Sequence, residues 1–310
     1  IGALDRGKEI HAEVVKERLQ NNVLIGTALI DMYAKCDALV QAKTVFDQLQ
    51  SRTAVCWNSL ITGYAHQGHG QEALNCFEQM QRDGFSADVV TFLSVLKACG
   101  SIGALERGKE VHAKIIEQGI LGEETLIANA IVDMYAKCGA VAKAQEVFDE
   151  LDVWTIVSWN ALIAGYANHG YGEEAMKCYE RMLNKGFSPN ALTFASILKA
   201  CGCIGAIDKG TEIHAYVMKE QLQKDMLVGS ALVDMYSKVP LMLFEAWEVF
   251  VHMPTRLIIT WTSLIGAYAE HGLYEEVLDC FVKMQVVDNL SPDAIAYLDS
   301  LKACGFLGAT

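Results

Sequence analysis

"WNSLITGYAHQGHGQEALNCFEQMQRDGFSAD" occupies residues 57–88, and 102 residues later the chain repeats it as "WNALIAGYANHGYGEEAMKCYERMLNKGFSPN" at 159–190. In the second half of each copy apolar residues fall at i, i+3, i+4 and i+7. They are Ala73, Cys76, Phe77 and Met80, then Ala175, Cys178, Tyr179 and Met182. That spacing lines one stripe of an α-helix. Ahead of each stripe stand "HQGHG" (66–70) and "NHGYG" (168–172), where glycine supplies the backbone freedom of a helix stop. Each copy therefore predicts a pair of helices joined by a tight turn.

The repetition runs the length of the 310-residue chain. Trp57, Trp159 and Trp261 recur at intervals of 102, and "DMYAKC" (31–36) returns at 133–138 and as "DMYSKV" at 234–239. The helical stripe recurs as Ala42, Val45, Phe46, Leu49, as Ala144, Val147, Phe148, Leu151, and as Ala246, Val249, Phe250, Met253. No segment alternates with period two for long. A single hairpin cannot bury its own apolar face, so neighbours must stack. The fold class expected is all-α: an α-solenoid superhelix of helix-turn-helix repeats, with a concave surface as the default binding face.

Composition narrows the function. The chain is 52% apolar and 20% charged, its apolar runs are too short to span a bilayer, and no membrane role is expected. A net charge of −13 argues against a sequence-blind nucleic-acid clamp, whose affinity comes from Lys and Arg neutralising phosphates. The chain opens at Ile1, partway through a repeat, and so reads as an excerpt of a longer protein. Eight of the ten cysteines fall in repeat columns: Cys76, Cys178, Cys280; Cys99, Cys201, Cys304; and Cys36, Cys138, the last completed by Val239. A column that accepts valine is a packing column, so small buried thiols in a reducing compartment are expected, without metal or cofactor.

Two motifs invite a catalytic reading and fail it. In "GSIGALERGKEVHAKI" (100–115), Gly103, Gly108 and Lys109 spell G-x-x-x-x-G-K, but Glu110 stands where a P-loop needs Ser or Thr for magnesium. The third copy, "GAIDKGTEIHAYV" from Gly205, replaces the lysine with Thr211. His11 and Glu13 match the H-x-E of zinc deaminases, yet the aligned copies carry Lys114 and Tyr216, and no P-C-x-x-C occurs. Glu72 and Glu174 read as a solvated helix face, the His and Trp columns as packing. No catalytic residue is assigned, and the stretch is not expected to be an enzyme.

The tetratricopeptide pattern W-x-x-L-G-x-x-Y is not met. The two quoted segments resemble instead the P-type pentatricopeptide repeat, and "TFLSVLKACGSIGALERGKEVHAKII" and "ALIDMYAKCDALVQAKTVFDQL" look like its long (L) and short (S) variants. The order S, P, L is similar to the PLS subclass of land-plant organelle proteins. The resemblance divides the chain into a partial L repeat (1–22), then S (23–53), P (54–88), L (89–124), S (125–155), P (156–190), L (191–225), S (226–257), P (258–293) and a partial L repeat (294–310).

The resemblance implies binding of single-stranded organellar RNA at about one base per repeat, read by the fifth and last residues. Short amide, hydroxyl and carboxylate tips suit the edges of unstacked bases. Carried onto this sequence, the P-repeat pairs are Asn58 with Asp88 (U), Asn160 with Asn190 (a pyrimidine) and Thr262 with Asp293 (G). The S repeats offer Thr27 with Thr53 (a purine), Asn129 with Thr155 (a pyrimidine), and Ser230, whose mate Leu257 cannot hydrogen-bond a base. In the L repeats, Leu93 with Glu124 and Ala195 with Asp225 give no base. The implied register is 5′-R-U-N-Y-Y-N-N-G-3′. Val55, Val157 and Ile259, second in their repeats, would wedge between bases, and the reading tips are expected to stand along an open trough. The family also implies a mitochondrial or chloroplast setting, C-to-U editing by a domain or partner outside this stretch, and editing-factor proteins as further partners. The other reading is a helical-repeat scaffold for protein ligands, which the acidic charge favours.

Overall fold

The computed structural model describes residues 2–120 and 125–308, and among them eighteen α-helices and no strand. They form two compact units, Ile1–Leu162 and Ile163–Thr310, with the division inside one helix.

In the first unit, α1 (Ala3–Lys16) precedes four hairpin-forming pairs. These are α2 (Val23–Lys35) with α3 (Leu39–Gln48), α4 (Ala54–His66) with α5 (Gly70–Arg82), α6 (Val89–Ile102) with α7 (Leu105–Glu117), and α8 (Thr125–Lys137) with α9 (Val141–Asp149). The start of α10 (Ile156–Asn168) closes the unit. The first helices α2, α4, α6 and α8 pack in an unbroken row, and each second helix lies against its own partner. In the second unit α12 (Ala191–Ile204), α14 (Met226–Ser237), α16 (Ile258–Glu270) and α18 (Ala294–Gly308) make the corresponding row. Against them lie α11 (Gly172–Asn184), α13 (Ile207–Lys219), α15 (Leu243–His252) and α17 (Tyr274–Val286). Each unit is thus a stretch of α-solenoid.

The predicted stripes form the core, except Leu151 and Val249, which are only half-buried. Ala42, Val45, Phe46 and Leu49 are buried, as are the stripes of α5 and α11, and Trp57, Trp159 and Trp261 sit among the most buried side chains. Phe46 meets Trp57, and Phe250 meets Trp261, edge to face with ring centroids 4.4 Å apart. The turn glycines Gly68, Gly170 and Gly272 adopt φ of 81°, 81° and 74°, the left-handed region that only glycine enters without strain. Lys109 lies on α7 and pairs with Glu106, and Glu72 and Glu174 are exposed.

Two cysteine expectations need correction. All ten thiols are free, but Cys36 and Cys138 are only half-buried because they follow the last residues of α2 and α8, where the chain turns out of the core. Cys304 is exposed although Cys99 and Cys201 are fully buried. Cys99 on α6 and Cys201 on α12 are covered by the helices that follow, whereas α18 is the last described helix.

Candidate nucleic-acid interface

Local chemistry brings the fifth and last residues of a repeat together. The last residue is the N-cap of the next hairpin, so its side chain is held at the head of a helix while the fifth residue projects from the preceding first helix. Asp88 caps α6 in a reciprocal capping box. Its Oδ1 accepts from the Thr91 backbone N–H at 2.9 Å, and its own N–H donates to Thr91 Oγ1 at 3.2 Å. Across the groove, the Nδ2 of Asn58 on α4 donates to Asp88 Oδ2 at 2.8 Å. Partial burial pulls the Asp88 carboxyl upward, but hydrogen bonds from Thr91 and Asn58 outweigh it and hold it below the ordinary carboxylate range.

The third P pair is built the same way. Thr262 Oγ1 is 3.1 Å from Asp293 Oδ2 and 2.9 Å from the Ile258 carbonyl, and Asp293 Oδ1 accepts from the Ala296 N–H at 2.8 Å. The extra residue of this repeat is absorbed in the linker before α18. Asn289 takes φ 51°, and Asp288 is anchored by Trp261 Nε1 (2.7 Å) and Arg256 (3.1 Å). For the second P pair, Asn160 lies on the first-unit part of α10. Asn190 caps α12 in the second unit, with a capping box through Thr193 at 3.1 Å in both directions.

The S pairs vary. Thr155 Oγ1 donates to Asn129 Oδ1 at 3.2 Å. Thr27 and Thr53 meet through Cys56, whose Sγ is 3.0 Å and 3.4 Å from their hydroxyls. Ser230 instead contacts Thr260 at 3.0 Å, and Leu257 provides no side-chain cap to α16. Among the L positions, Asp225 caps α14 through Leu227 N–H at 2.9 Å, while Glu124 lies outside the described residues.

One expectation is overturned. Asn58, Asn160 and Thr262 do not stand out along a trough; they are 8%, 4% and 8% exposed. For Asn58 and Thr262 the cause is the pairing itself, because a side chain drawn onto the cap of the next helix is covered by it. The exposed polar tips are those of Asp88 and Asn190, with Asp293 half-exposed. Beside them the expected wedges are open: Val55, Val157 and Ile259 are 60%, 55% and 66% exposed.

The first-helix row borders open hollows in each unit. In the first, His66, Leu93, Lys97, Asp133 and Lys137 line one of about 320 Å³. In the second, Lys199, Ser230, Asp234 and Ile259 line one of about 370 Å³, and Ile259, Thr262, Asp293 and Lys238 one of about 590 Å³. On the other helices the histidine column packs as expected: the Nδ1 of His11, His112 and His214 lies 2.9, 3.1 and 2.9 Å from the hydroxyls of Tyr33, Tyr135 and Tyr236. Among the described residues no group of three or more His, Cys, Asp or Glu side chains is placed to hold a metal, and no helix is long and apolar enough to cross a membrane.

Sequence reasoning missed the double duty of the last residue and the part played by the third residue of the next repeat. The signal was present as "DVVT" (88–91) and "NALT" (190–193), an N-cap followed three positions later by a hydroxyl.

Comparison with known proteins agrees with this architecture. The PPR repeat family matches residues 52–101 and 154–203, and the PPR repeat matches 127–154 and 259–287, together about half of the chain. A chloroplastic pentatricopeptide repeat-containing protein of Arabidopsis thaliana is 36% identical over 303 residues, covering 98% of this chain and 49% of its own length. A mitochondrial one from the same plant is 34% identical over 328 residues, covering 99% and 36%. The chain belongs to the pentatricopeptide repeat family. It spans between 29% and 49% of the length of such curated relatives. Among solved structures, the pentatricopeptide repeat protein PPR10 in complex with an 18-nt psaJ RNA element superposes with a TM-score of 0.77 at 16% identity, covering 99% of this chain and 46% of that one.

Proposed function

We propose that this chain is a sequence-specific single-stranded RNA-binding array of the PLS type, with the S, P and L repeats bounded as set out from the sequence. One observation carries the reading. At successive hairpin junctions a polar side chain of a first helix meets the N-cap residue of the next hairpin, beside an exposed apolar residue: Asn58, Asp88 and Val55 in one instance, Thr262, Asp293 and Ile259 in another. A peptide groove has no need to place amides and carboxylates at that one junction; a base edge does. PPR10, of similar fold, is known bound to RNA.

In this reading the pairs Asn58–Asp88, Asn160–Asn190 and Thr262–Asp293 read U, a pyrimidine and G. Thr27–Thr53 reads a purine, Asn129–Thr155 a pyrimidine, and Ser230 reads without a partner. Val55, Val157 and Ile259 separate neighbouring bases. Because Asn58 and Thr262 are covered by their own caps, a base reaches only the hydrogen-bonding capacity that the internal pairing leaves free. The exposed cap residue makes the first polar contact. The setting is a plant mitochondrion or chloroplast, as the names of the relatives indicate for those proteins. The outcome served is choice of a transcript site for processing, C-to-U editing above all, by a domain or partner protein beyond this stretch. Titration against labelled RNAs carrying the octamer 5′-R-U-N-Y-Y-N-N-G-3′ and its single-base changes tests it. Equal affinity for all of them, or binding of acidic-groove peptide ligands instead, would favour the scaffold reading.

A further inference from the structure

Thr91 is fully buried, and it touches both members of the pair that this reading assigns to U. Its Oγ1 lies 2.6 Å from Asn58 Oδ1 and 2.9 Å from Asp88 Oδ1, and it accepts from the Asp88 N–H at 3.2 Å. A threonine hydroxyl has one proton to give. Asp88 Oδ1 already accepts the Thr91 backbone N–H, so the proton goes to the nearer acceptor, the Asn58 carbonyl oxygen. Asn58 is then gripped on both sides: its oxygen by a donor from Thr91, its nitrogen by the acceptor Asp88 Oδ2 at 2.8 Å.

The same position is buried at most of the described junctions, Ile25 being half-buried. Cys56, Thr91, Ser158, Thr193, Thr260 and Ala296 stand third in their repeats, and all are buried. Cys56 contacts Thr27, and Thr260 contacts Ser230. Where the fifth residue is Thr262, whose hydroxyl lies 3.1 Å from its cap carboxylate and 2.9 Å from the Ile258 carbonyl, the third position is Ala296 and offers no hydroxyl. A hydroxyl residue thus follows each of the three asparagines at this sequence offset, as Thr91, Ser158 and Thr193; it also follows Ser230, as Thr260, and is missing after Thr262.

We propose that Thr91 is a positioning residue that sets the choice between U and C at the Asn58 site, a role that rests on the reading of Asn58 and Asp88 as a base-reading pair. Uracil presents an N3–H donor next to a carbonyl acceptor; cytosine presents an N3 acceptor next to an amino donor, the same two functions in reverse order. An amide free to flip satisfies either and reads only "pyrimidine". An amide held with its oxygen on Thr91 and its nitrogen on Asp88 shows one remaining N–H and one remaining lone pair in a fixed order, which matches one pyrimidine and opposes the other.

The test compares wild type, Thr91→Val, Thr91→Ala and Thr91→Ser by fluorescence anisotropy with two labelled octamers that differ only in U or C at the second base. Thermal melts run in parallel. The expected result is a preference for U of about tenfold in wild type and in Thr91→Ser, falling to about threefold or less in Thr91→Val and Thr91→Ala. The alanine variant carries the test if valine prevents folding. Uniform weakening toward both RNAs with the U/C ratio intact would overturn the proposal, leaving Thr91 a capping residue alone. A wild-type protein that binds the octamer with no preference at the second base would instead defeat the underlying reading of Asn58, and this inference with it.

Discussion

Asn58 and Asp88, thirty positions apart in sequence, are joined by a 2.8 Å hydrogen bond in which the amide donates and the carboxylate accepts. The bond links two successive hairpins, since Asn58 stands on α4 and Asp88 heads α6. One side chain thereby serves helix capping, hairpin spacing and the proposed contact with a base.

Replacing Asn58 with Thr recreates the pairing of Thr262 with Asp293, in which a hydroxyl lies 3.1 Å from the cap carboxylate. The expected outcome is that preference at the second base moves from U toward G by about tenfold, measured by competition between labelled octamers. A variant that keeps U, or loses affinity evenly for all bases, would show that the register of bases on repeats is wrong.

Leu257 is the one S-repeat terminal residue that leaves its helix without a side-chain cap; Thr53 caps α4 through Cys56 N–H at 3.4 Å, and Thr155 reaches Ser158 N–H at 3.1 Å. Leu257→Asp therefore supplies a missing partner to the head of α16. Stability should rise by about 1 kcal/mol, which thermal melting followed by circular dichroism resolves. The same change gives Ser230 a carboxylate mate, so selectivity should appear at a base that wild type reads loosely.

Helices α2 and α4 approach closely at Gly63. A methyl group built there would lie 2.5 Å from the Ala34 side chain, which has no rotamer to move. Alanine is the better helix former by about 1 kcal/mol, yet Gly63→Ala should still destabilise the protein by about 1–3 kcal/mol through overpacking. A urea midpoint that rises would mean the two helices have slack at this crossing.

Burial holds the imidazole of His112 below its ordinary pKa of 6.5, with the Lys143 charge adding to the effect, and burial alone does the same for His214. A depressed folded pKa means that the unfolded chain takes up the proton first as pH falls. Stability is therefore complete above pH 6.5 and is lost as pH drops through the folded values. The melting temperature should stay level above pH 7 and decline below 6.5. Replacing both histidines with Gln should flatten that decline, although carboxylates such as Asp88, also depressed, take over at still lower pH.

The architecture was legible because it depends on period. Ala42, Val45, Phe46 and Leu49 repeat at helical spacing with one outcome, burial, and the same pattern at α5 and α11 leaves few alternatives. The pairings Asn58–Asp88 and Thr262–Asp293 followed from repeat positions carried over by resemblance, not from spacing. Two things escaped because they depend on local angle and coverage. Cys36 and Cys138 belong to a repeat column, but at a helix end a column residue can swing outward, so both are half-exposed. Asn58 and Thr262 were expected in the open, and whether a short polar tip faces solvent or folds onto a neighbouring cap is decided by two or three hydrogen bonds that no hydropathy pattern encodes. The hydroxyl of Thr91 was visible in "DVVT" as a capping signal, but its reach back to Asn58 at 2.6 Å appears only in three dimensions.

The central claim is that the hydrogen-bonded junctions between hairpins select bases. Its most direct test is an equilibrium titration of the purified chain against 5′-R-U-N-Y-Y-N-N-G-3′ and two single changes, U to G at the second base and G to U at the eighth. The account predicts that each change weakens binding by about tenfold, roughly 1.4 kcal/mol, with only a shallow dependence on salt because few phosphates are neutralised by a chain of net charge −13. Equal affinity for all three RNAs, or binding that vanishes steeply with salt whatever the sequence, would contradict it.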